Sequence, residues 1–101
     1  MLTGVWHGTI DTPIGPLAAT LAIDDDGTAK VSTPFGQDLH VVALLAERGL
    51  VEGEFDLNIP GAGAARMFLR MRAVPGNRLA NKVYARMDLG EVSMQVELTR
   101  E

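Results

Sequence analysis

Two five-residue stretches, Asp11-Thr12-Pro13-Ile14-Gly15 and Ser32-Thr33-Pro34-Phe35-Gly36, are near copies of one another, and they punctuate the chain rather than fill it. Looser versions follow at Asn58-Ile59-Pro60-Gly61-Ala62-Gly63 and Asp88-Leu89-Gly90. Between these stand Asp24-Asp25-Asp26-Gly27, Glu47-Arg48-Gly49 and Pro75-Gly76-Asn77. All are turn chemistry, because proline presets φ and glycine or asparagine supplies the positive φ of a tight reversal. Turns this closely spaced cut the 101 residues into eight segments of about ten, the spacing of an antiparallel meander.

Between the turns the apolar residues alternate. Trp6, Gly8 and Ile10 share a face, as do Leu17, Ala19, Leu21 and Ile23, then Ala29, Val31 and Thr33. The pattern resumes with Val51, Gly53, Phe55, Leu57 and Ile59, with Met67, Leu69 and Met71, with Leu79, Asn81, Val83 and Ala85, and with Val92, Met94, Val96 and Leu98. Period two predicts strands with one buried face. The segment 38–48 is the ambiguous one, since its Ala/Leu content and terminal glycine also suit a short helix. An even strand count favours strand, because an up-and-down sheet closes with every neighbour antiparallel only when the count is even. The expected fold is therefore all-β: one domain over residues 1–101, an eight-stranded antiparallel up-and-down meander barrel.

Register follows from the turns. Centring a hairpin on Ala62 pairs Phe55 with Leu69 inside, and Glu54 with Arg70 and Glu52 with Arg72 outside. Centring one on Asp88-Leu89 pairs Val83 with Met94 and Ala85 with Val92 inside, and Arg86 with Glu91 outside. A two-residue Arg48-Gly49 turn aims His40, Val42 and Leu44 inward. Opposite charges facing one another across strands account for much of an uneven distribution: residues 1–60 carry nine acids and two bases, residues 61–101 seven bases and four acids.

The triplet Gly4-Val5-Trp6 on the first strand, with Arg100 at the end of the last, resembles the lipocalin-type (calycin) signature. That resemblance implies a barrel closed at its base by the tryptophan, an arginine packed across the indole as a cation–π contact, and an interior holding one small ligand. The repeated Thr-Pro-x-Gly turns are also similar to short bacterial barrels of about this length, sometimes fused to hydrolases, from which no function carries over. The turns sort the two rims. Asp24–Gly27, Arg48-Gly49 and Pro75–Asn77 make one polar. Ile14, Phe35, Ile59, Ala62 and Leu89 make the other apolar, and with Trp6 plugging the polar end the mouth is expected at the apolar one.

Chemistry-bearing motifs are sparse. The absence of cysteine removes disulfides, thiolate nucleophiles and Cys-ligated metals. His7 and His40 fall in no metal spacing, Asp24–Gly27 fails the EF-hand pattern at Ala22 and Thr33, and Gly61–Arg66 lacks the third glycine of a dinucleotide loop. No cofactor and no metal are expected. A formal net charge of −4 with one Trp and one Tyr argues against nucleic acid, and the lack of a long apolar run or a basic leader at the start predicts no membrane and a cytoplasmic protein. The leading expectation is a barrel binding a small apolar or amphipathic organic ligand, with walls Trp6, Ile10, Leu21, Phe35, Phe55, Met67, Met71, Val83 and Met94. Two alternatives stand beside it: a cofactor-free cyclase, isomerase or lyase using inward His40 and Asn81 as catalytic groups, and a homodimer through the apolar rim without a cavity.

Overall fold

The computed structural model describes residues 2–61, 63–88 and 90–101. Among them the chain forms nine strands: β1 (Gly4–Thr12), β2 (Gly15–Ile23), β3 (Ala29–Thr33), β4 (Gly36–His40), β5 (Val42–Glu47), β6 (Leu50–Ile59), β7 (Gly63–Val74), β8 (Arg78–Met87) and β9 (Gly90–Arg100). All neighbours are antiparallel, in the order β4-β3-β2-β1-β9-β8-β7-β6-β5. The meander order and the all-β class agree with the sequence reading; the count of eight does not.

The difference lies in the segment 38–48. It is extended rather than helical, but it breaks at Val41 and serves two neighbours. β4 pairs with β3 (Val31 opposite Leu39), while β5 pairs with β6 (Ala46 opposite Val51). The two halves run in the same direction and are joined by one residue, so β4 and β5 are a single strand position split at a corner, and the sheet comes round to a nearly closed barrel. Val41 is buried and its amide donates to the Ala29 carbonyl at 3.0 Å. On the β6 side the corner is accommodated by Gly53, where a Cβ would sit 2.5 Å from Val41 Cγ1. The missing side chain of one strand is filled by the residue that turns the corner.

This corner also reverses an expected orientation. The Arg48-Gly49 turn has the anticipated geometry, Glu47 opposite Leu50, but the register shifts between Val42 and Leu45, where Ala43 takes a φ of 53°. A one-residue slip exchanges the faces of a strand. His40 and Val42 are therefore exposed and Val41 points in, contrary to the sequence reading.

The long hairpins behave more simply. Across β8 and β9 the register is the expected one, with Val83 opposite Met94 and Arg86 opposite Glu91. Across β6 and β7 it is displaced by two: Phe55 faces Met67, Glu52 faces Arg70 and Asp56 faces Arg66. The expected register would have placed Pro60 in the ladder, where it has no N–H to donate; the observed one closes at Ile59 and Gly63 and leaves Pro60 in the loop. A displacement of two keeps every side chain on its own face. The ion pairs are consequently rearranged, with Arg66 meeting Glu54 at 3.2 Å and Asp56 at 2.9 Å. These carboxylates raise the pKa of Arg66 above its ordinary value, Asp56 contributing most. At half-exposed positions such pairs fix register more than they add stability.

Asn81 departs from its strand neighbours for a local reason. It sits in register opposite Met71 and Val96, inward positions, yet its φ of 134° is one that side chains rarely adopt, and its side chain is exposed. The inward amide expected from alternation is absent, and the backbone carries strain that glycine would not. Asn81→Gly is expected to raise stability by ~1 kcal/mol, net of the extra entropy that glycine loses on folding. An increased urea midpoint with an unchanged slope would show it, and a decrease would remove the strain argument.

Candidate functional site

The barrel has two unlike ends. At the polar end, Trp6 is 2% exposed and donates from Nε1 to the Leu2 carbonyl at 3.0 Å. β1 and β9 set Trp6 opposite Arg100, whose guanidinium carbon lies 4.4 Å from the ring centroid. The cation–π contact implied by the lipocalin resemblance is thus present. Outside it lies a broad depression of about 920 Å³ bordered by the Asp24–Gly27, Arg48-Gly49 and Pro75–Asn77 turns. The acidic turn is closed by its own hydrogen bonds: the Thr28 amide and hydroxyl both donate to Asp26 Oδ1, at 3.1 and 2.6 Å. Those two bonds hold the Asp26 carboxyl below the usual aspartate range, the hydroxyl contributing most.

The middle of the barrel is filled. Ile10, Leu21, Phe55, Met71 and Val83 meet there around a void of only about 10 Å³, too small for an organic ligand. A ligand held inside the barrel therefore has no room at this level. Five of the nine expected wall residues border this packed layer, and Trp6 closes the far end.

At the apolar end the barrel is open. A cavity of about 430 Å³ is lined at depth by Ile10, Leu57, Met67, Ala85 and Met94, and nearer the rim by Leu17, Phe35, Ile59, Met87 and Val92. That volume lies within the ~300–1,000 Å³ typical of small-molecule sites. Ile10, Phe35, Met67 and Met94 among the expected wall residues are brought together here, whereas Leu57, Met87 and Val92 belong to the lining without having been singled out. Their inward parity was legible, but which inward residues lie above the packed layer depends on the stagger of the strands.

The Thr-Pro-x-Gly repeat builds part of this rim. In one copy the Ile14 amide donates to Thr12 Oγ1 at 3.3 Å and that hydroxyl donates to the Gly15 carbonyl at 2.6 Å. In the other the Phe35 amide donates to Thr33 Oγ1 at 3.1 Å. The same side-chain turn thus carries an apolar residue to the mouth twice. Ile14 is 85% exposed, the extreme among the large hydrophobic residues described. Ala62 and Leu89, also expected at this rim, lie outside the described residues.

No charged side chain lines the cavity among the described residues, and Thr12 supplies its one hydroxyl, already committed to the turn. His40 and Asn81 are exposed and border neither this cavity nor the packed layer. His7, expected at the surface, is there, with Nδ1 3.1 Å from Thr20 Oγ1 and Nε2 3.0 Å from Glu101 Oε1. Among the described residues no helix is long and apolar enough to cross a membrane. Comparison of the chain with protein-family models, curated proteins and solved structures gave no match.

Proposed function

We propose that this protein binds a small apolar or amphipathic organic molecule by its apolar part in the mouth of the barrel. The observation that carries the reading is an open cavity walled by hydrophobic residues and framed by loop tips that expose Ile14 and half-bury Phe35, where loops in water are ordinarily polar. Met67, Met87 and Met94 give it polarizable, rotatable walls that adapt to irregular shapes. The Gly4, Trp6 and Arg100 resemblance to lipocalin-type barrels supports the same reading, since those barrels are closed at the tryptophan end and loaded from the other. A catalytic use of the mouth finds less support, because among the described residues no imidazole, carboxylate or amine lines it to move a proton.

Methionine-methyl NMR tests this directly. Titration with an apolar probe is expected to shift the Met67, Met87 and Met94 methyls while leaving Met71, in the packed layer, close to its free position. Phe35→Ala is expected to weaken the probe by ~1–2 kcal/mol, the value of the aromatic surface lost. Shifts at Met71 alone, or none at all, would reject the site. The intrinsic fluorescence of Trp6 is a poor reporter, as it sits at the opposite end.

A further inference from the structure

We infer that Ile10 is the floor of the mouth and fixes the length of hydrocarbon tail it accepts, so that the ligand class is a short- to medium-chain amphiphile; the inference rests on the binding reading above and adds a limit to it. The floor follows from alternation. Inward side chains stand two residues apart along a strand, and one such step separates the open mouth from the packed layer. On β6 Leu57 lines the mouth and Phe55 the layer, on β8 Ala85 and Val83, and on β9 Met94 and Val96.

On β1 the step falls differently. Thr12 stands at the rim, Gly8 contributes no side chain and Trp6 closes the opposite end, so Ile10 is the one inward side chain that β1 places between rim and plug. It is 3% exposed and lies in register between Leu17 of β2 and Val96 of β9. Among the described residues it alone borders both the mouth and the void of about 10 Å³ in the packed layer. A floor makes the cavity a measure of length. With a methylene taken as about the size of a water in the liquid, ~30 Å³, the mouth of about 430 Å³ holds on the order of a dozen carbons. Each carbon up to that limit leaves water and strengthens binding about fourfold, whereas each one beyond it stays in solvent and adds nothing.

The test titrates hexyl-, octyl-, decyl-, dodecyl- and tetradecylphosphocholine, each below its micelle concentration, into the native protein and into Ile10→Ala, with the Met94 methyl as the readout. Native affinity is expected to climb to about the dodecyl chain and then level, tetradecyl exceeding dodecyl by less than ~2-fold. Ile10→Ala joins the mouth to the void. It is expected to bind tetradecylphosphocholine ~10-fold more tightly than the native protein does, the effect of about two further methylenes, with no gain for the hexyl chain. The Met71 methyl, silent in the native protein, is then expected to shift. Should Ile10→Ala not fold, the milder Ile10→Val is expected to raise tetradecyl affinity ~2–4-fold, again with no gain for hexyl. The floor is overturned, while the mouth stands as a site, if native affinity climbs by the same step through tetradecyl. It is overturned equally if a folded Ile10 variant levels where the native protein does or weakens every chain alike. If no chain binds, the binding reading and this inference fall together.

Discussion

Gly8→Ala is expected to destabilise the barrel by ~3 kcal/mol or more, at or beyond the upper end of ordinary overpacking costs. Gly8 faces Leu98 across the β1–β9 ladder, and a Cβ built there lands on the Glu97 carbonyl oxygen and 2.9 Å from the Leu98 Cα. Both obstacles are main chain, so no rotamer change relieves them. The strands themselves would have to separate, and β1–β9 is the pairing that joins the two ends of the chain into a barrel. Urea denaturation followed by Trp6 fluorescence measures the loss, with the exposed neighbour Thr9→Ala as a control expected within ~0.5 kcal/mol of the native protein. A Gly8→Ala cost no larger than the control's would mean that the strands do not approach as closely as described.

Trp6→Ala is expected to cost ~3–5 kcal/mol, the range for removing a fully buried aromatic side chain. The indole closes the polar end and carries the Arg100 guanidinium on its face, so truncation opens the packed interior to water and strands the arginine stem. Arg100→Met, which keeps an apolar stem but removes the charge, should cost less, ~0.5–2 kcal/mol. Far-ultraviolet circular dichroism through a thermal ramp reports both. Equal effects from the two substitutions would assign the plug to the charge rather than to the ring. Against the ~5–15 kcal/mol that typically holds a domain together, either glycine or tryptophan replacement removes a large fraction.

What could be read from the residues and what could not separates at identifiable places. The β8–β9 register was legible because a short loop at Asp88-Leu89 left one pairing that put Val83 and Met94 inside with Arg86 against Glu91. The β6–β7 register was legible only to within two residues, since parity and charge were satisfied by both alternatives and Pro60 decided between them by lacking a donor. Alternation misplaces His40 because it assumes an unbroken strand, whereas the irregularity at Ala43 moves the preceding stretch to the other face. Alternation misplaces Asn81 although its register is regular, because a φ of 134° redirects its side chain without shifting the ladder.

The site divides in the same way. Its apolar rim is visible in the two Thr-Pro-x-Gly turns, where the threonine hydroxyls fix the loops that present Ile14 and Phe35. Its depth is not, since the wall residues share one alternating pattern whether they border a cavity or fill a core.

The sequence by itself determined the class of fold, the positions of the turns, which residues of most strands face inward and which end is polar. Each of these is set by local backbone preference and by a period of two, and neither depends on distant residues. Only the tertiary structure decided that the segment 38–48 splits at Val41, that nine strands rather than eight make the nearly closed barrel, and that the interior is packed below an open mouth. Those outcomes depend on how strands far apart in the chain fit together: Val41 filling the space at Gly53, and Phe55, Met71 and Leu21 meeting in one layer. Close packing is settled among side chains that meet only after the sheet has curled round, and a single strand carries no record of its partners' volumes.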